Sequence, residues 1–368
     1  VATMFRSSLA RRKPVTLRQA FDPKLNALNA VRLVMAVGVI FWHSFPLTGH
    51  DVGFAPLRQL VADVWVDGFF AVSGFLITSS WVRRPDVRAY VVARLVRILP
   101  ALYLCLALTA FVVAPVGVWM QGGNGVALLS SFAPVRYVLA NAGIWIFERG
   151  VGGTPSALPH SGTWNGSLWT LGWEALCYLG VLALGVVGLL TRRWCLPVAF
   201  AGAWALLAVT TLASIGGHAE NAARFAVMFL AGALIFRFQD SIRYSYPLVI
   251  GAFAITAGSM WLPDYRIVGA LFWAYAVIGT GVLIKSKRLA LRNDVSYGVY
   301  IYAFPIQQLL FIGVGALPPL AFALLATLIT LPVAALSWFW IEKPALRLKS
   351  FAGPRVQRAS VERLSTNA

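Results

Sequence analysis

The sequence predicts an all-α integral membrane protein, a bundle of about ten transmembrane helices with both termini in the cytoplasm. Three observations carry that reading. Of the 368 residues, 59% are hydrophobic and only 12% charged, with a mean hydropathy of +0.74, against about 45–50% apolar in an ordinary soluble domain. Apolar runs of roughly 20 residues, the length a bilayer requires, recur from end to end. The basic residues gather in alternate connections between those runs, which is the pattern of the positive-inside rule.

The spans are expected at 27–46, 65–82, 95–120, 167–191, 195–215, 222–238, 246–263, 266–284, 295–316 and 318–341. Pro100, Pro115, Pro305 and Pro332 lie in or near them, which membrane helices tolerate when neighbours satisfy the freed carbonyls. Basic clusters occupy the N-terminus, Arg83 to Arg97, Arg192-Arg193, Arg237 to Arg243, Lys285 to Arg292 and the chain from Lys343. The connections 47–64, 121–166, 216–221, Pro263-Asp264 and Leu317-Pro318 are poor in Lys and Arg. The first set is therefore cytoplasmic and the second faces outward, giving a multi-pass protein of the cytoplasmic (inner) membrane.

Three regions follow: a cytoplasmic segment 1–26, a membrane domain 27–343, and a cytoplasmic tail 344–368 whose mixed charge and low apolar content predict disorder. The first span carries Arg32 and His43 and ends at Phe45-Pro46 without a small-residue cleavage site, so it reads as retained rather than as a signal peptide. The connection 121–166 is the long one outside. Loops of that length tend to be functional or disordered, and its apolar piece from Phe132 to Phe147 could form a surface helix that roofs a site.

A net charge of +18 would point to nucleic acid in a soluble chain. Here topology accounts for it, and no nucleic-acid partner is expected. Cys105, Cys177 and Cys195 are odd in number, and two fall inside apolar runs, so neither a disulfide framework nor a zinc pattern is signalled. His50, His160 and His218 are dispersed over outer loops, and no metal site is expected. No internal repeat of the kind common in transporters is visible.

Chemistry is concentrated in the ionisable residues inside spans, which are costly there and by default functional. Arg32 and His43 share one face of the first helix, about 16 Å apart along its axis. By the orientation above, His43, Asp67 and Glu174 lie toward the outer surface, whereas Arg32, Arg94 and Arg97 lie toward the cytoplasm. A histidine with a carboxylate neighbour is the usual general base. Arginines three apart at a helix end offer forked donors suited to a phosphorylated ligand. The split implies an inner phosphate-bearing donor and an outer acceptor. Each group also has a structural reading: His43 as a packing residue, Arg94 and Arg97 as topology anchors, Asp67 as a helix N-cap. Trp42, Trp65, Trp145 and Trp164 read first as interface-belt residues and second as sugar-stacking ones.

These residues resemble the acyltransferase-3 family of integral-membrane O-acyltransferases over about residues 25 to 345. An arginine, ten residues and a histidine open the resemblance as Arg32 to His43. The most specific string is Val66 to Leu76, reading VDGFFAVSGFL. Arg94, Arg97, Pro100 and Tyr103 form a third motif, and Ser167 to Tyr178, containing Trp169, Trp173 and Glu174, a fourth. Phe229 to Leu234, Val295 to Tyr300 and Trp338 to Pro344 follow in the family's order. Two departures stand out. Asn29 and Ala303 occupy positions where the family often has Asp and His, which excludes an essential second histidine at 303.

The resemblance implies transfer of an acyl group, commonly acetyl, from cytoplasmic acyl-CoA to a hydroxyl of a saccharide or lipid-linked glycan. Acetyl-CoA is then a donor substrate rather than a permanently bound cofactor. Arg32, Arg94 and Arg97, with Ser73 and Tyr103, would serve the donor. His43 would act as general base, with Asp67 or Glu174 orienting it and Ser73 available to an oxyanion. Trp169, Trp173, Tyr178, Tyr297 and Tyr300 would line the substrate site. The alternative is a proton-coupled transporter or flippase for a glycan or lipid-linked substrate, with Arg32, His43 and Glu174 as a proton relay.

Overall fold

A computed structural model describes residues 15–352. Its labelled helices are α1 (Leu28–Leu47), α2 (Ala55–Ala62), α3 (Val64–Arg83), α4 (Val87–Leu108), α5 (Ala114–Met120), α6 (Gly125–Ser130) and α7 (Ala133–Asn141). They continue as α8 (Trp169–Val186), α9 (Cys195–Leu212), α10 (His218–Arg237), α11 (Tyr246–Ser259), α12 (Arg266–Leu283), α13 (Ser296–Val314) and α14 (Pro319–Ser337). Among the described residues nine helical stretches are long and apolar enough to cross a membrane, α4 and α5 forming one of them. The predicted span at 246–263 is the short one: α11 has 14 residues, about 21 Å at 1.5 Å per residue against a core of about 30 Å. Two-residue strands, Val15–Thr16 and Arg243–Tyr244, pair antiparallel near the start of the chain. The first residues of the segment read as a tail form short helical turns, Lys343–Leu346 and Arg347–Ala352, and the rest of it lies outside the described residues, as do residues 1–14.

The helices alternate in direction. One end of the bundle carries Arg32, Arg94, Arg97, Asp294 and Glu342, and the other carries His43, Asp63, Asp67, Arg224 and Arg266. They are called below the Arg32 end and the His43 end.

Prolines shape the spans through the backbone donors they lack. Pro115 and Pro344 each deprive a carbonyl four residues earlier, and the two π-helical turns, Thr109–Val113 and Trp338–Glu342, contain those carbonyls. Pro305 frees the carbonyl of Ile301, which accepts instead from Asn165 Nδ2 at 2.8 Å and from the Cys105 thiol at 3.2 Å. That bond ties the long connection down onto α13. Gln308 Nε2 adds two more ties, to the carbonyls of His160 and Thr163, each 2.8 Å, and Trp164 is fully buried against Gly117.

The centre of the bundle is α3, buried on most of its faces. It crosses α10 at two glycines: a Cβ on Gly74 would lie 1.8 Å from the carbonyl oxygen of Phe229, and one on Gly232 equally close to that of Ala71. Backbone cannot yield as a flexible side chain does, so small residues set this contact, as in other membrane helix pairs. Gly74→Ala is expected to push the helices apart and lower stability by about 1–3 kcal/mol, read as a fall in Tm of the detergent-solubilised protein. An unchanged Tm would show that the crossing is slack.

Candidate active site

At the His43 end a cavity of about 380 Å³ lies between α1, α2, α8, α10 and the start of α12. Val39, Trp42 and His43 form one wall, Trp169, Thr170 and Tyr300 another, and Asp63, Arg224 and Arg266 a charged third. The 3.6-residue repeat puts Val39 and His43 on one face of α1, so both reach the same space. The Nδ1 of His43 is buried without a hydrogen-bond partner, and its ring packs edge-on against Phe304, centroids 5.0 Å apart. Facing the opposite edge of Phe304, at 5.5 Å, is His160 of the long connection. Burial and the nearby Arg149 guanidinium both hold the His160 pKa below its ordinary value, so this imidazole is neutral at pH 7.

A second chamber of about 40 Å³ adjoins the first toward the Arg32 end, lined by Arg32, Phe69, Glu174 and Tyr297. The two share Val66, Thr170 and Tyr300. Across this neck the Thr170 and Tyr300 hydroxyls are hydrogen-bonded at 2.6 Å. Arg32 and His43, on one face of α1, thus open onto adjoining spaces on either side of a hydrogen-bonded constriction.

The carboxylates predicted to orient His43 do not reach it; the structure gives the imidazole no carboxylate hydrogen bond. Asp67 is fully buried and accepts from Tyr265 Oη at 2.6 Å, from Arg266 Nε at 2.6 Å and from Arg224 Nε at 3.3 Å. Nor does it cap α3, whose N-cap residue is Asp63. Asp63 pairs with Arg224 and Arg266 at 3.0 and 3.2 Å, and Asp264 with Arg266 at 3.0 Å. Glu174 lies deeper, at the second chamber, accepting from Ser73 Oγ at 2.9 Å and from the Tyr178 hydroxyl. Ser73 is therefore committed to Glu174.

Two of the three cations expected to serve a donor are already compensated. Asp294 binds both Arg32 and Arg97, the latter at 2.7 Å, and Arg97 also pairs with Glu342 at 3.0 Å. Arg94 differs: it donates to Ser80 Oγ at 3.1 Å, lies over the rings of Tyr90 and Tyr178, and makes no salt bridge among the described residues. The last helical turn brings Lys349 near Arg94 and Arg97, a cation that the reading of this segment as a tail did not include. Tyr297 stacks under Arg97 and donates to the Ile98 carbonyl at 3.0 Å. Trp169 lines the larger cavity, whereas Trp173 packs among Trp145, His218 and Phe225. Tyr103 is 42% exposed on the outer surface of α4 and lines neither space. Among the described residues no group of three or more His, Cys, Asp or Glu is placed to hold a metal ion.

Buried carboxylates make the fold sensitive to acid. Burial opposes ionisation of Asp294 and Asp63, and their arginine neighbours outweigh it, holding both pKa values below the ordinary one. A depressed folded-state pKa contributes stability that is present above the unfolded value, about 3.9, and lost as pH falls through the folded one. Thermal stability in detergent is expected to hold from neutral pH to about 4 and to drop below it. A loss already complete at pH 6 would show that other groups control it.

The family model described as an acyltransferase domain matches residues 25–339. The chain belongs to the acyltransferase-3 family. It is a multi-pass integral-membrane O-acyltransferase. This acyltransferase is similar to the O-acetyl transferase of Shigella phage Sf6, 27% identical over 345 residues that cover 89% of this chain and 98% of that one. It is also similar to nodulation protein 10 of Rhizobium leguminosarum bv. viciae, 26% identical over 361 residues covering 88% and 94%. No solved structure matches it.

The family strings of this acyltransferase converge on the two adjoining spaces. The first supplies Arg32 and His43, the second Val66 and Phe69, the fourth Trp169, Thr170 and Glu174, and the sixth Tyr297 and Tyr300. The closing string supplies Glu342 to Arg97. What the sequence reading missed are the partners between those strings: Asp294, Arg224, Arg266 and His160. For Asp294 a signal existed, since it lies two residues before the motif beginning at Ser296, whose hydroxyl it accepts at 2.5 Å.

Proposed function

We propose that this O-acyltransferase moves an acetyl group from cytoplasmic acetyl-CoA to a hydroxyl of a saccharide or lipid-linked glycan outside the cytoplasmic membrane. The Arg32 end and both termini are cytoplasmic in this reading, and the His43 end faces outward. The observation that supports it best is the pair of adjoining spaces sharing Val66, Thr170 and Tyr300, because one passage then joins a cationic end to a histidine-lined cavity.

The donor's phosphates would meet Arg94 and Lys349, the cations around that entrance without a carboxylate partner among the described residues. Its thioester would enter through the smaller chamber, which at about 40 Å³ must widen by parting Thr170 from Tyr300. An acceptor hydroxyl in the larger cavity then attacks the thioester carbonyl while His43 takes its proton. The C–O bond forms, the C–S bond breaks, and the proton passes to the departing thiolate. Hydroxyls at the neck, those of Tyr300 and Thr170, are the donors nearest to a developing oxyanion there.

The test supplies membranes containing the chain with acetyl-CoA labelled in the acetyl group. Label is expected in an envelope saccharide, in step with release of free CoA. Movement of a glycan across the membrane driven by pH, with acetyl-CoA untouched, would instead favour a transporter.

A further inference from the structure

The cavity at His43 is the first of three in line. A second, about 360 Å³, is lined by Ile146, Arg149, His160, Thr163, Asn165 and Asn221, and shares Gly166 and Trp169 with the first. A third, about 460 Å³, runs between Arg136, Glu148, Thr154 and a group of glycines, and shares Arg149 with the second. Each lies within the roughly 300–1,000 Å³ of a small-molecule site. All three open on the His43 end, and the outer two are built by the long connection that Asn165 and Gln308 pin to α13.

Their walls favour one class of occupant. An acyl chain needs continuous apolar walls, and these consist of amide, hydroxyl, guanidinium and imidazole groups with bare glycine backbone. Gly153 and Gly162, both at positive φ, have nothing within 4 Å of where a Cβ would stand, so they leave peptide groups exposed to the space. At the junction with the first cavity stands Trp169, 38% exposed, an aromatic face with a polar edge of the kind a sugar ring stacks on. At the other junction stands Arg149. Arg136 beside it is paired with Glu148, but Arg149 is exposed and makes no salt bridge or side-chain hydrogen bond among the described residues. An uncompensated guanidinium on a path of hydroxyl-binding groups selects a carboxylate or phosphate.

We propose that the acceptor is an anionic oligosaccharide of at least three sugars, laid across these cavities with the acylated sugar at His43 and its negative group at Arg149. This rests on the transferase reading above. The glycan labelled in the membrane assay is cut by mild hydrolysis into fragments of one to six sugars, and acetyl transfer to each is measured with the full-length chain in detergent. KM is expected to fall about tenfold or more between one and three sugars and then to level off. Arg149→Ala should raise KM about tenfold for the longer fragments, the worth of a charge-assisted hydrogen bond, with kcat and single-sugar transfer unchanged. Arg149→Lys should restore most of the loss. Fragments with reduced carboxyl groups, or with phosphate removed, should behave on the unaltered chain as charged ones do on Arg149→Ala, and whichever treatment does so identifies the anion. Equal KM for one sugar and six, or an Arg149→Ala variant indifferent to length, overturns the cleft while leaving the transferase standing. Label reaching no glycan overturns the transferase reading, and the cleft with it.

Discussion

Replacing His43 by alanine is expected to remove acetyl transfer, lowering kcat by at least about a hundredfold, the lower end of what a positioned general base contributes. The fold should survive, because the imidazole borders an existing cavity and its buried Nδ1 bonds to nothing. Only the edge contact with Phe304 is lost. Labelled transfer gives the first quantity and thermal unfolding in detergent the second. His160→Ala is the necessary companion, since that imidazole lies against the other edge of Phe304. It should change KM for the acceptor and leave kcat near that of the unaltered chain. If the effects are exchanged, with kcat collapsing for His160→Ala alone, the base is on the loop and not on α1.

The relation of the two histidines also marks what the sequence could reveal. Spacing along one helix is legible: Arg32 and His43 do share a face, and each opens onto its own chamber. Level in the membrane is legible too, because topology fixes which residues lie near which end, and Asp67 does lie at the His43 end. Rotation about each helix and distance across the bundle are not. Asp67 therefore shares a level with His43 yet bonds to Arg224 and Arg266, 157 and 199 residues further along. Glu174 turns instead toward Ser73 and Tyr178. Tyr103 fails for a related reason: six residues beyond Arg97, it lies about 120° around α4, on the exposed side. Hydropathy alone likewise reads 246–263 as a full span, because Met260, Trp261 and Leu262 are apolar. The helix nonetheless ends at Ser259, whose hydroxyl bonds back to the Thr256 carbonyl at 2.7 Å.

Asp67→Ala is the substitution expected to cost most stability. Its carboxylate is wholly buried between two guanidinium groups and the Tyr265 hydroxyl. Deleting it leaves Arg266, itself 4% exposed, with Asp63 and Asp264 alone, and Arg224 with Asp63 alone. Breaking one side of a buried ion pair costs about 3–5 kcal/mol, because the remaining charge has lost its compensation. A large fall in Tm is expected, together with loss of monodisperse protein in detergent. Activity per folded molecule should be reduced far less than by His43→Ala, since Asp67 makes no bond to the imidazole. The double variant Asp67→Leu with Arg266→Met separates charge from shape: removing both members of a buried pair is often neutral, so much of the lost stability should return. If Asp67→Ala folds normally but transfers no acetyl group, the carboxylate belongs to the chemistry after all. Arg224 and Arg266, which line the His43 cavity, would then be the groups through which it acts.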